Sequence, residues 1–382
     1  MAENLASNRE FVVGYDSHNY NGERNTYAPI EGVTYVKMRR IPFEYTPGPE
    51  HFGLHRVFAP LAPNPKVDLV HLWNRVSVGR TPWGVSFEDT LPYLNPRLHA
   101  RAISLQRKLL FSDQCRFIIG MSDYAVRQFR STLSDSEWLQ IANKVHQIYP
   151  HHPKPIRNST YPGLEEQDSL RLIFVGGDFF RKGGEPALRA VEEVGDELDL
   201  QLTVISRVEG NDYSGTPPAD VDVVDVRRRL ADNPRVDWMP HLPHNEVMAS
   251  IEHHHVGLLP TLSDTFGYSV LEFMGLGVPS IVSNVQALPE FTGPETGWRL
   301  DVATDDRGVW LGRNPDMEHR RTHYFETVGH TTSQLIEVLR AVRADPDVLR
   351  VKSLSASARF DEQFDPHARH ESILSIYANA AS

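Results

Sequence analysis

LLPTLSDTFGYSVLEFMGLGVPSIVSNVQALPE, residues 258–290, is the stretch that decides the fold. It divides into a buried strand, a polar loop, the start of a helix, a second strand and another loop. Asp264 opens the first loop, and a second acid, Glu272, follows after seven intervening residues. Thr265, Phe266 and Gly267 lie between strand end and helix, with Tyr268 and Ser269 directly after them. Such a loop presents backbone N–H groups at the positive end of a helix, which suits a phosphate or a sugar hydroxyl. Glu272 falls on the first turns of that helix, where a carboxylate can take both hydroxyls of a ribose. One segment thus offers two acidic contacts around a ligand the size of a nucleotide sugar.

Outward from it, strands and helices alternate. LRLIFVGG (170–177), LQLTVIS (200–206), RVDWMP (235–240) and VGLLP (256–260) read as strands. Helices are expected from about Gly184 to Val194, over ADVDVVDVRRRLAD (219–232) and over HNEVMASIEHHH (244–255). This alternation means a parallel, doubly wound sheet, whose ligands bind beyond the carboxyl ends of the strands. Gly176-Gly177 and the loop from Pro260 to Gly267 both lie at such ends. Ahead of this region, FVVGY (11–15), VTYVKM (33–38), VDLVHLW (67–73), WGVSF (83–87), CRFIIGMS (115–122) and KVHQIYP (144–150) are strand candidates. RLHARAISLQRKLLF (97–111) and DYAVRQFRSTL (123–133) read as helices, the latter with Ser122 or Asp123 as N-cap. HHPKPIRNSTYPG (151–163) is a Pro-rich linker, and FDPHARHESILSIYANA (364–380) a helix with Ile373, Leu374, Ile376 and Tyr377 on its apolar face.

A second motif, FVGGDFFRKGGE (174–185), ends a strand in Gly-Gly and leads through Arg181 and Lys182 into a helix. Two adjacent cations near a helix N-terminus can neutralise a diphosphate. The bland alternative is a helix-starting loop with solvated cations. Breaking an anomeric C–O bond to a diphosphate puts negative charge on the leaving phosphate. Fixed cations and N–H donors there lower the barrier without a metal.

These residues resemble a family. An acid, then Phe-Gly, then Glu eight positions after the acid, then GLGVPSIVSN (275–284) and ALPEF, is similar to the pattern of retaining GT-B glycosyltransferases of family 4, the glycosyl transferases group 1. The resemblance implies an α/β fold of GT-B type, with two Rossmann-like doubly wound domains facing a cleft and a C-terminal helix crossing back to the N-terminal domain. The domains follow: 1–150 for the acceptor, 151–168 as linker, 169–360 for the nucleotide sugar, and 361–382 as the crossover helix. It also implies a hexosyltransferase that retains anomeric configuration. Its co-substrate is a nucleoside-diphosphate sugar, with no cofactor and no metal. Asp264, Arg181, Lys182 and Glu88 are the catalytic candidates. Gly176, Gly177, Arg207, His241, Leu242, Thr265, Phe266, Gly267, Tyr268, Ser269 and Glu272 are the donor-binding candidates.

The chain departs from that pattern in places. Asp264 stands where Glu is usual, one methylene shorter. Gly177 stands where an Arg is usual, with Arg181 as its substitute. Glu88, beside Asp89 in SFEDTLPY (86–93), takes the place of a His that faces the reacting sugar. It can orient an acceptor hydroxyl or act as its base. The loop GYDSHNYNG (14–22) keeps only Gly14 and Gly22 of a glycine-rich pattern. His71 reads as a satisfied strand histidine. The run His253-His254-His255 points in successive directions around a helix and makes a poor chelate. Residues 302–328 read as a polar insertion.

Composition bounds the remaining classes. A chain of 382 residues suggests two domains, and 40% hydrophobic residues suffice for real cores. A net charge of −11 argues against nucleic-acid binding. One cysteine, Cys115, fits a reducing compartment, and no apolar run approaches ~20 residues. The expected partners are a nucleotide-sugar donor and a glycan, lipid-linked or small-molecule acceptor. The expected location is cytoplasmic, with weak peripheral membrane contact left open. Two other classes remain: a non-catalytic sugar-nucleotide-binding or scaffold subunit, and another GT-B enzyme such as a nucleotide-sugar epimerase.

Overall fold

A computed structural model describes residues 10–16, 21–41, 57–92, 100–210, 221–313 and 316–382. Of the sequence features above, residues 17–20 of the Gly14–Gly22 loop, Tyr93, Arg97 and residues 219–220 of the 219–232 helix candidate lie wholly or partly outside them. The chain divides into two compact units, residues 1–153 with 364–382, and residues 154–363.

The first unit is built on six parallel strands. Their spatial order is Val33–Lys37, Phe11–Tyr15, Leu69–Trp73, Trp83–Phe87, Cys115–Gly120 and Val145–Gln147. LVHLW and WGVSF are buried at every position, as strands covered on both faces must be. The helix Asp123–Ser131 is capped by Ser122, whose hydroxyl accepts from the Ala125 N–H. The helix Pro366–Ala380 belongs to this unit and lays Ile373, Ile376, Tyr377 and Ala380 against Phe11, Val13, Leu69, Phe117 and Ile119. Each of the two isoleucines contributes roughly 1.5–3 kcal/mol by leaving water. Its first turn is set by Pro366 at the start and by Asp365, which accepts from the His367 N–H at 3.0 Å.

The second unit holds another six parallel strands, in the order Val236–Met239, Leu200–Ile205, Leu170–Val175, Val256–Leu259, Ser280–Ser283 and Gly297–Leu300. By sequence this is 3-2-1-4-5-6, the order of dinucleotide-binding folds. Its switch point lies between Leu170–Val175 and Val256–Leu259.

Three features differ from the sequence expectation. Strands end one or two residues early, where the chain turns off the ladder. Residues 302–328 are not a polar insertion throughout. Trp310 is 3% exposed and donates its Nε1–H to Thr327 Oγ1 at 3.0 Å, and a helix, Met317–Ala344, begins within the stretch. Its polar residues line the outer face, while Tyr324, Thr327, Val328 and Thr331 turn inward at helical spacing. The Pro-rich segment is bound to the second unit rather than hanging as a tether. Arg157 donates to the carbonyls of Leu276 and, at 3.2 Å, of Glu252. The Glu252 carboxylate accepts the N–H groups of Asn158 and Ser159, and the Tyr161 hydroxyl donates to the His255 carbonyl at 2.7 Å.

Candidate functional site

The loops leaving Leu170–Val175 and Val256–Leu259 meet at the switch point of the second sheet. Their contact needs a glycine. Gly183 has φ +86°, and a Cβ on it would overlap the Pro260 carbonyl. Around that approach the loops are stitched together. The Leu262 N–H and the Thr261 hydroxyl both donate to the Arg181 carbonyl, at 2.8 and 2.9 Å. Ser263 Oγ donates to Gln286 Oε1 at 3.0 Å, and Ser283 Oγ to the Thr261 carbonyl at 2.7 Å.

Across this seam Lys182 Nζ donates to Asp264 Oδ2, and both side chains are largely buried. The other oxygen of Asp264 accepts the N–H groups of Gly267, at 2.9 Å, and Phe266, at 3.3 Å. Two of the N–H groups expected to face a ligand are therefore already held by this carboxylate. Burial works to raise the Asp264 carboxyl. The Lys182 ammonium, Arg181 and the Phe266 N–H outweigh it, so the group lies below its ordinary value. Burial pulls the Lys182 ammonium below its usual range, with Asp264 opposing.

Arg181 is placed differently from its expected role. Its guanidinium is nearly buried, pairs with Asp178 and donates to the Ser263 carbonyl at 2.7 Å. It fixes the loop that carries Asp264. Asp178, three residues before it in the same loop, is its counter-ion, a partner that the sequence gave no helix spacing to reveal.

Beside the switch point is a cavity of ≈ 480 Å³. It is lined at the carboxyl ends of three strands by Val175, Gly176 and Gly177, by Ile205, Ser206 and Arg207, and by Pro240, His241 and Leu242. Five of the expected donor-binding residues, Gly176, Gly177, Arg207, His241 and Leu242, are thus brought to one place. A Cβ on Gly177 would have nothing within 4 Å, so that position opens onto free space. Ser269 lies in the first turn of the helix Tyr268–Gly275, and Thr265 lies in the loop two residues before its N-cap, Gly267. Phe266 packs its ring against Phe291 and Tyr268 in the core, and so offers only backbone.

Glu272 lies on the same helix, with 14% of its side chain exposed. His244, a residue for which sequence gave no signal, places its Nδ1 3.7 Å from Glu272 Oε1. Burial alone pushes its carboxyl up to about 7.

Glu88 lies in the other unit. It exchanges hydrogen bonds with Asn74: Asn74 Nδ2 donates to Glu88 Oε1 at 3.2 Å, and the Glu88 N–H donates to Asn74 Oδ1 at 3.3 Å. His71 is fully buried between the Tyr377 hydroxyl at 2.7 Å and Ser86 Oγ at 2.8 Å. Burial, then Arg369, drops its imidazole to about 3. The helix expected over 244–255 ends at Glu252, so the histidine run follows it instead of winding around it. His254 bonds Ser250 O and Thr203 Oγ1, and His255 accepts the Arg171 N–H. Both are engaged inside the second unit.

Comparison with known proteins bears on the fold. Residues 169–308 match the family Glycosyl transferases group 1. Sucrose-phosphate synthase from Thermosynechococcus elongatus superposes with a TM-score of 0.58 at 14% identity, over 98% of this chain and 100% of that one. Anabaena HepE in complex with UDP and glucose superposes with a TM-score of 0.62 at 10% identity, over 97% and 100%. The fold is therefore GT-B, and residues 169–308 of the second unit are similar to the glycosyl transferases group 1. A curated relative, the MMP alpha-(1->4)-mannosyltransferase of Mycolicibacterium hassiacum, is 27% identical over 124 residues. That match spans 32% of this chain and 28% of the relative's length. Among the described residues, no helix is long and apolar enough to cross a membrane.

Proposed function

We propose that the protein is a glycosyltransferase that moves a hexosyl group from a nucleoside-diphosphate sugar to an acceptor hydroxyl, with retention of anomeric configuration. One observation carries this most: a cavity, a buried Lys–Asp pair and a nearly unpartnered Glu share the carboxyl edge of one Rossmann-type sheet. The nucleoside occupies the cavity between Gly177, Arg207 and Leu242, and Glu272 accepts the ribose hydroxyls. Lys182 has three N–H donors. One is given to Asp264, and the other two face the diphosphate. Ser269 adds a backbone N–H at the helix start and Thr265 one from the loop before it, and Asp264 holds the transferred sugar. Arg181 acts through the loop and not on the phosphate. The HepE complexes carry UDP and UDP-glucose, which supports UDP as the nucleotide.

In the reaction the C1–O bond to the diphosphate breaks and its electron pair goes to the leaving phosphate. The acceptor oxygen bonds C1 on the same face, and its proton passes to a phosphate oxygen. Lys182 meets the charge that grows on the diphosphate. Losing one fixed donor of this kind costs about 10²–10³ in rate. Glu88, held by Asn74, orients the acceptor hydroxyl. A cytoplasmic location, and cation chemistry carried by Lys182 without a metal, belong to the same proposal.

The test is a thermal-shift panel of UDP, GDP, ADP, TDP and their sugars, followed by donor hydrolysis for each hit. A shift of several degrees with slow hydrolysis is expected. A shift without turnover, even with acceptors added, would leave a sugar-nucleotide-binding subunit. No shift with any nucleotide would remove the donor site.

A further inference from the structure

The stretch 302–328 holds a group of side chains that the donor site does not use. The helix Met317–Ala344 begins in it, with Asp316 as N-cap, whose carboxylate accepts the Glu318 N–H at 3.0 Å. In its first turns stand His319, His323 and Glu326, at i, i+4 and i+7, so they share one stripe of the helix surface. The buried stripe of Tyr324, Thr327, Val328 and Thr331 is turned away from it.

The two imidazole rings are neighbours, with centroids 4.2 Å apart and planes inclined at 55°. Both histidines are half-buried, so each keeps a path to solvent. Glu326 Oε2 lies 3.7 Å from His323 Nδ1. That negative charge draws the ring proton to Nδ1 and leaves the lone pair on Nε2, the arrangement in which a carboxylate orients a metal-binding histidine. The adjacent arginines reach other faces: Arg320 Nη1 lies 3.8 Å from the Met317 sulfur, and Arg321 lies over the Phe325 ring, 5.3 Å from its centroid. His151 and His370 are also neighbours, but both feel the Arg369 guanidinium, whose charge opposes a cation there.

Imidazoles one helical turn apart form a bidentate chelate. An ion about 2.0–2.1 Å from one nitrogen of each ring fits between rings at this spacing. Imidazole suits Zn²⁺, Ni²⁺ and Cu²⁺, whereas Mg²⁺ and Ca²⁺ take oxygen. Among the described residues no three His, Cys, Asp or Glu side chains converge to hold a metal ion. The protein therefore supplies two nitrogens, and water fills the remaining positions.

We propose that His319 and His323 clip one divalent transition-metal ion of the Zn²⁺, Ni²⁺ and Cu²⁺ class, with Glu326 as the positioning residue for His323. The clip ties successive turns at the start of the helix, so the ion stabilises the folded chain by mass action. The transferase reading is not needed for it.

The experiment titrates the full, untagged chain, stripped with EDTA and free of nucleotide, with ZnCl₂, NiCl₂, CuCl₂ and MgCl₂. Binding is read by calorimetry and by melting temperature. The tightest site should take one ion per chain, Cu²⁺ should bind most tightly, and the melting temperature should rise. His319→Ala and His323→Ala should each weaken that site by more than about 10-fold and remove the rise, and Glu326→Gln should weaken it by about 10-fold. All three variants should melt like the wild type without metal, since exposed helix positions accept these residues. No saturable binding to the wild type, or the same Cu²⁺ affinity in the His319→Ala, His323→Ala double variant, overturns the proposal. An unchanged affinity in Glu326→Gln overturns the positioning role.

Discussion

At the carboxyl edge of the second sheet, two loops meet in a single pair of opposite charges, Lys182 and Asp264, with an open cavity beside them. At the same edge of the first sheet, one buried carboxylate gathers two arginines. The inner polar contact of that unit is a neutral chain, Ser86–His71–Tyr377–Tyr35, lying between sheet and terminal helix. Both sheets are six-stranded and parallel, so architecture alone does not separate their roles. What differs is where the loops are held. In the second unit, backbone contact brings the loops within reach of each other. In the first, Asp16 ties two of the loops through side-chain charge, to Arg40 and Arg75.

Substituting one glycine in each unit tests that difference with the largest expected effect. Gly183→Ala forces a Cβ onto the Pro260 carbonyl at a positive φ, and it should cost about 3 kcal/mol or more by urea denaturation. Gly14→Ala meets Met38 Cγ at 2.8 Å, Met38 Sδ at 2.9 Å and Val67 Cγ1 at 3.1 Å, side-chain atoms and no backbone, at an ordinary φ, and should cost distinctly less. Equal losses would mean that the seam between the two loops of the second unit is not rigid.

Lys182→Ala comes next. From sequence, Lys182 is a loop cation whose removal touches binding alone. The structure buries it against Asp264, so the variant strands a carboxylate and should lose about 3 kcal/mol of stability along with nucleotide affinity. Lys182→Ala combined with Asp264→Asn should regain much of the stability and none of the affinity. Regained affinity would free Lys182 from any contact with the diphosphate.

The units also answer to pH through groups of opposite sign. His71 in the first unit drops to about 3 through burial, below its unfolded value near 6.5. Its contribution is therefore complete above that value and is lost as pH falls toward 3. His71→Phe should lower stability at pH 7.5 by about 1–3 kcal/mol, since Tyr377 and Ser86 lose their partner, and should make the acid limb shallower. An unchanged acid limb would mean that His71 does not titrate on unfolding.

Glu272 in the second unit works the other way. Its carboxyl is raised to about 7, so the folded state holds its proton more tightly, and stability falls as pH rises from about 4.5 to 7. Glu272→Gln should be the more stable protein at pH 8, by at most on the order of 3 kcal/mol. UDP affinity in the wild type should rise across pH 7 as the carboxylate forms, and the Gln variant should lack that rise. The same rise in both would remove the ribose contact.

The second unit was the more legible of the two. Its motifs at 174–185 and 258–290 are local: strand end, glycine, charge and helix start follow one another, so sequence order carries the site. Gly176 and Gly177 were legible as the end of an apolar strand, whereas Arg207, His241 and Leu242 were expected from the family resemblance, and the structure brings all five to one cavity. Side-chain direction was not legible. Arg181 and Lys182 are neighbours in sequence, yet one turns to Asp178 and the other to Asp264. In the first unit the strands were readable, but Asp16, Arg40 and Arg75 are scattered over sixty residues and meet only through the sheet order. The helix Met317–Ala344 was obscured because threonines and a tyrosine, rather than aliphatic residues, occupy much of its buried stripe.

The central claim is that a nucleoside diphosphate fills the cavity at the ends of Leu170–Val175, Leu200–Ile205 and Val236–Met239. Gly177→Phe places a ring into that space from a position whose Cβ meets nothing within 4 Å, so the fold has no reason to suffer. Calorimetric titration of UDP into wild type and Gly177→Phe, at matched melting temperatures, tests the claim most directly. The account predicts saturable binding to the wild type and at least 10-fold weaker binding to the variant. The same affinity in both would place the nucleotide elsewhere and contradict it.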